Sequence, residues 1–165
     1  MEQFQVSREE AKKHLKLADH MLTQTYPLVK DPKLLLAVLQ NLFRALDHTM
    51  SAILYYERLF KRIPPFQDTF DSRFNMFKAR MMRRYNLNPE YVTLIQKVKE
   101  TPKEHQRSPV EFVRDGKFVI CSDNYKLRTI SFEEMKKFIS QAKSFINEME
   151  GMVSKNDRIF RRSNF

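Results

Sequence analysis

DPKLLLAVLQNLFRALDHTMSAILYYERLFKRI, residues 31–63, decides the fold: after Pro32 it contains neither proline nor glycine. Asp31 can cap the free N–H groups of a first turn, and Pro32 at the first helical position lacks a donor that has no partner there anyway. Leu35, Leu39, Leu42, Leu46, Met50 and Ile53 recur at spacings of three and four. The stretch therefore predicts one long helix with an apolar stripe facing other helices. Asn41, Arg44, His48, Ser51 and Tyr55 share a narrow polar stripe on the far side.

On the N-terminal side, Ser7 and Glu10 form a capping box, which predicts a helix from about residue 8 to 26. Ala11, Leu15, Ala18, Leu22 and Val29 continue its apolar stripe, and Pro27 is expected to bend or end it. A short Lys-Asp-Pro link then makes the first two helices an antiparallel pair. On the C-terminal side, Pro64 and Pro65 stop the central helix. Asp68 or Thr69 caps a third helix with Phe70, Phe74, Phe77, Met81 and Tyr85 on one face. Asn88 caps and Pro89 opens a fourth, with Tyr91, Leu94, Ile95 and Val98 inward. TPKEHQRSP, residues 101–109, reads as an exposed connection.

VEFVR and KFVIC then flank Asp115-Gly116, the dipeptide that suits a type I′ turn, so a β-hairpin is expected, with Val113 opposite Phe118 and Phe112 opposite Val119. A lone hairpin is marginal in water and must pack on the helices. Ser131 and Glu134 open a last helix with Phe132, Met135, Ile139, Ala142, Ile146 and Met149 inward, and Gly151 reads as its stop. The expected fold class is mainly all-α: a single bundle of about five helices with one β-hairpin inserted before the last. Residues 1–153 form the domain and residues 154–165 a basic C-terminal tail.

A hydrophobic fraction of 42%, with 14 Phe and 9 Met, supplies a core, and two glycines suit long helices. No run reaches the roughly 18 apolar residues of a membrane span, and MEQFQVSREE has no signal-peptide pattern, so a cytoplasmic protein with no membrane partner is expected. The single cysteine, Cys121, excludes an internal disulfide and a Cys-rich zinc site; at the end of an apolar strand it reads as a small buried hydrophobe. His14, His20, His48 and His105 are scattered, with no HExxH and no Glu-x-x-His pair, so no metal and no cofactor are expected. Two glycines cannot build a phosphate loop or a dinucleotide fingerprint.

The formal charge is +10 and clustered: residues 58–84 hold eight Lys or Arg against two Asp, and residues 154–165 hold four against one. Such clusters attract phosphate polyanions or an acidic surface. Arg73, Arg80 and Arg84, at i, i+7 and i+11, line one helix edge with Arg83 nearby, and Arg158, Arg161 and Arg162 add a second basic element. These seven residues are the expected nucleic-acid contacts, and the function read from them is a nucleic-acid-associated binding protein, for RNA in the first place. Arg44 and His48, neighbours at i and i+4, are a candidate catalytic pair for metal-free phosphodiester chemistry, the imidazole moving a proton and the guanidinium holding phosphate charge. The bland alternative for that pair is an inter-helix polar contact. A helical protein-interaction subunit, whose basic strip meets an acidic protein partner and whose helices bury a homodimer surface, is the third reading.

The antiparallel first helix pair and the NLFRALDHTMSAIL type of second helix resemble the HEPN superfamily over roughly residues 7–62, and the last helix does so loosely. That resemblance implies an all-α domain, often dimeric, acting in RNA cleavage, toxin–antitoxin pairs or nucleotide binding. Its ribonuclease members use an Arg, four to six residues, then His. Here three residues separate Arg44 from His48, and His105 precedes Arg107, so the motif is not matched.

Overall fold

Burial of the central helix sets the arrangement of the rest. The computed structural model describes the backbone of residues 2–107, 110–114, 117–121 and 127–163, and the side chains of residues 2–101, 117 and 130–154. Helix α1 (Gln3–His20) continues through a π-turn at Met21–Thr25 and a last turn at Tyr26–Val29. Helix α2 (Leu34–Leu59) is the central one. Helix α3 (Phe70–Met76) continues through a second π-turn at Phe77–Met81 to Arg84, and α4 (Glu90–Arg107) and α5 (Phe132–Ser163) complete a mostly helical chain. No helix among the described residues is long and apolar enough to cross a membrane.

The stripe Leu35, Leu39, Leu42, Leu46, Met50 and Ile53 is buried throughout. Its partners explain the order of the helices. Phe4 meets Tyr56 edge-on at 5.3 Å and the Met21 sulfur accepts from Asn41 at 3.6 Å, so α1 and α2 are antiparallel. Ala11, Ala18, Ala45 and Ala52 are fully buried, and such small side chains let helices approach closely. Helix α5 lies antiparallel to α1: Arg8 clamps Glu150 at 2.7 and 2.5 Å, Lys143 pairs with Asp19 at 3.2 Å, and Tyr26 stacks on Phe132. Helix α3 runs beside α2, with Phe70 against Phe43 and Arg73 on Asp47. Tyr91 of α4 stacks on Phe145 of α5 at 4.7 Å. One cluster of buried apolar side chains extends from Phe4 to Val153.

Several helix ends are where the sequence puts them. The Asp31 carboxylate accepts from the Lys33 N–H at 3.0 Å, Thr69 from Ser72, Asn88 from Glu90, and Ser131 from Glu134. Helices α2 and α3 close without glycine. Lys61 and Asn86 take left-handed backbone, and the next residues donate back to Glu57 and Met82, which satisfies the last carbonyls.

Other ends differ. The first helix starts at Gln3 with Gln5 accepting from the Glu2 N–H, and Ser7, the expected cap, is buried inside it. Pro27 does not end it, because the preceding π-turn widens the backbone ahead of a residue that has no N–H. Val29 is 60% exposed and leaves the stripe. Helix α4 passes Thr101 and Pro102 to Arg107: a proline's φ is itself helical, although its missing N–H and its ring clash cost a helix interior about 3 kcal/mol. The connection read at residues 101–109 is thus helical to Arg107, and residues 108–109 lie outside the described residues.

Gly151 does not stop α5. Helix interiors tolerate glycine at a cost of about 1 kcal/mol, and the helix continues into the tail segment. Between α4 and α5 the backbone follows strands β1 (Val110–Arg114), β2 (Lys117–Cys121) and β3 (Leu127–Ile130), antiparallel in that order. The Asp115-Gly116 turn and the Cys121 side chain lie outside the described residues. Among the described side chains only Ile130 joins the core there. Apart from Lys117 and Ile130 the side chains of these strands lie outside the described residues, so the expected hairpin packed on the helices is not supported, and the fold class that stands is the helical bundle.

Two stability changes follow. A Cβ added at Gly151 meets nothing within 4 Å. Gly151→Ala should therefore raise the unfolding free energy by about 0.5–1 kcal/mol in urea titrations, by removing helix-interior glycine. Asp31→Ala should lower it by about 0.5–1.5 kcal/mol, the loss of its hydrogen bond to the Lys33 N–H in the turn ahead of α2.

Candidate functional site

Residues Thr49 to Glu57 of α2 are buried without a break, and that run ends in a carboxylate. Glu57 has no exposed side-chain surface. A charge so placed needs partners, and it draws them from the ends of two helices. Tyr85, just past the end of α3, donates to Oε1, Arg62 Nη1 lies 3.5 Å from the same oxygen, and Arg84 Nε lies 3.4 Å from Oε2. The Arg84 approach is close enough for attraction but lacks hydrogen-bond alignment. Burial, reinforced by the Glu57 carboxylate, pushes the Tyr85 phenol up to about 12.

Both guanidiniums keep an outer edge, with 33% and 42% of their side chains exposed. They line a cleft of about 670 Å³ with Tyr85, Leu87 and, from α5, Glu148, Gly151 and Met152. The ends of α2 and α3 thus meet α5 one turn before its basic C-terminal segment. The side chains of Arg158, Arg161 and Arg162 lie outside the described residues.

The expected strip on α3 is not one edge. Arg73 is 12% exposed and committed: Nη2 reaches both Asp47 oxygens at 3.0 and 3.1 Å, and Nη1 reaches Asp68 at 2.9 Å. Asp68 is held below the usual carboxylate range by the Tyr55 hydroxyl first and then by Arg73. The π-turn at Phe77–Met81 then adds about one residue to a turn, which rotates the following positions by roughly 100°. Arg84 consequently faces Glu57, while Arg80 lies over the Pro64–Phe66 loop. Arg80, Arg83 and Lys61 are exposed and have no ion pair among the described residues.

The polar stripe of α2 is not a solvent face either. Ser51 and Tyr55 are buried, and Tyr55 donates to Asp68 at 2.5 Å. Arg44 is exposed, and no hydrogen bond joins it to His48. His48 instead stacks on His14 of α1, with ring centroids 5.7 Å apart and planes 2° from parallel. Burial lowers the His48 pKa below its ordinary 6.5, with Asp47 opposing. His14 is 9% exposed; its Nδ1 lies 3.1 Å from Asn41 Oδ1 and its Nε2 lies 3.4 Å from Glu10 Oε2. Two of the four histidines read as scattered are therefore partners. Glu10 and His14, at i and i+4, were the available signal; what put His48 beside them was the α1–α2 register. His20 lies on the exposed face of α1, and the side chain of His105 lies outside the described residues.

Comparison with protein-family models, curated proteins and solved structures finds no match to this chain, and lends the HEPN resemblance no support.

The tyrosines give this region a pH signature. Tyr55 and Tyr91 are also raised to about 12, by burial first and then by Asp68 and Glu148. An unfolded phenol ionises near 10, so above that pH the unfolded state holds fewer protons than the native one and stability falls as pH rises. Urea midpoints should hold steady from about pH 8 to 10 and decline toward 12, with phenolate absorbance in native protein appearing late. Tyr85→Phe should flatten part of that decline.

Proposed function

We propose that the chain binds nucleic acid, RNA in the first place, at the end of the bundle where α2 and α3 terminate against α5. One observation carries the reading: a single buried carboxylate, Glu57, holds two guanidiniums, Arg62 and Arg84, at the mouth of one cleft. An arginine presents its donors in a rigid fork, and an ion pair to Glu57 without an aligned hydrogen bond leaves those donors available to phosphate oxygens. Holding the forks in place before binding removes part of the ordering cost that flexible lysines would incur.

The local charge remains positive. Glu2, Glu57 and Glu148 offset three cations, whereas Arg58, Lys61, Arg62, Arg83 and Arg84 all lie at this end. The path of α5 from Met152 leads on into the segment that bears Lys155, Arg158, Arg161 and Arg162. A strand laid across the cleft could follow that segment, which would bring the two basic clusters of the sequence into one phosphate-binding track.

Filter binding of a single-stranded RNA over a salt series tests this. The affinity should fall linearly on logarithmic axes, by about 0.7 per phosphate neutralised. Lys61→Glu with Arg83→Glu, two exposed and unpaired positions, should weaken binding at least about tenfold at low salt. Lys30→Glu with Lys33→Glu, the same charge change at the other end of α2, should do much less. No affinity at low salt, or equal loss in both variants, overturns the reading.

A further inference from the structure

The Glu10, His14 and Asn41 contacts pose a hydrogen-bonding mismatch that one cation would resolve. Asn41 Nδ2 donates to the Ala37 carbonyl at 3.0 Å, which fixes the amide and leaves Oδ1 to accept. His14 Nδ1, 3.1 Å away, must then carry the hydrogen. In neutral imidazole the other nitrogen, Nε2, then bears a lone pair. That lone pair faces Glu10 Oε2 at 3.4 Å, and the carboxylate is also an acceptor. Two acceptors facing each other at 3.4 Å repel, and a cation between them turns that contact into an attraction.

We propose that Glu10, His14 and His48 form a binding site for one divalent transition-metal ion of the zinc type. Their donor atoms all lie within 4.8 Å of one another. In a tetrahedral site with bonds of about 2.0–2.1 Å, neighbouring donors stand ~3.3 Å apart. The Glu10–His14 pair already has that separation, at 3.4 Å. The His48 nitrogen has to close by up to about 1.5 Å, and its ring has to turn out of the parallel stack on His14, a side-chain rotation, to complete the set.

Two imidazoles and one carboxylate match the preferences of zinc, cobalt and nickel, and leave a fourth position for water. The Nδ1–H bond to Asn41 is the outer-shell contact that fixes a ligand histidine's tautomer and aims its free nitrogen at the ion. The ligands come from both members of the α1–α2 pair, so the ion would clamp the two helices together. The other cation able to fill the gap is a proton, which would make Glu10 and His14 a plain ion pair, and the experiment separates the two.

Calorimetric titration of the full chain with Zn²⁺ should give one ion per chain and a rise in melting temperature that EDTA reverses. Substituted Co²⁺ should show the intense visible bands of a four-coordinate site. His48→Gln and Glu10→Gln should each weaken Zn²⁺ binding more than about 100-fold, and Asn41→Ala by about 10–100-fold. His20→Gln and His105→Gln should leave it unchanged. Because His48 and Glu10 are only partly buried, these variants keep the test open even where a His14 substitution fails to fold. Absence of stoichiometric Zn²⁺ and Co²⁺ binding, or binding that survives His48→Gln and Glu10→Gln together, overturns the proposal and leaves the proton as the occupant.

Discussion

The structure depends on a helix that has no solvent-facing side over nine consecutive residues, Thr49 to Glu57. An amphipathic helix normally keeps one face wet and puts its charges there. Here helices α1, α3, α4 and α5 take up the surroundings of α2, so every polar group in that run must find an internal partner. Thr49 donates to the Ala45 carbonyl within its own helix, and Tyr55 reaches out to Asp68. Glu57 cannot satisfy itself locally. Its charge is met only because two chain segments, the turn after α2 and the end of α3, return to it. Cationic residues are thereby gathered at one end of the bundle.

Apolar stripes were legible in the sequence because burial of apolar surface is a periodic, local rule. Every position named on the central stripe is buried, and the inward faces of α4 and α5 were placed correctly. Caps were legible for the same reason: Asp31, Thr69, Asn88 and Ser131 act on N–H groups two or three residues away. Helix ends read from a breaker alone fared worse, as Pro27 and Gly151 show. One proline or glycine costs a few kcal/mol at most, and tertiary packing on either side can outweigh it.

The candidate sites were hidden for a different reason. His14 and His48 are remote in sequence, as are Asp47 and Arg73, and nothing local relates either pair. Their meeting depends on the axial register of packed helices, which is set by the whole interface. Helical phase added a second obstacle. Arg73, Arg80 and Arg84 share an edge only at 3.6 residues per turn, and the π-turn between them breaks that count. Arg73 therefore serves an internal ion pair while Arg84 serves the cleft, although the sequence gives them equivalent places.

The two sites share α2 but point away from each other. From His48 to Glu57 is nine residues, which on an ideal helix is ~13 Å of rise and about half a revolution of net rotation. The structure agrees: His48 faces α1, and Glu57 faces the end of α3. A separation of that order exceeds the Debye length of about 8 Å at physiological ionic strength, and the packed body of α2 stands between. An ion held by the histidines would therefore have little direct electrostatic influence on phosphates at the cleft. Any coupling between them must pass through movement of α2 itself, and that helix, enclosed on all sides where the two faces are closest, is the element least free to move.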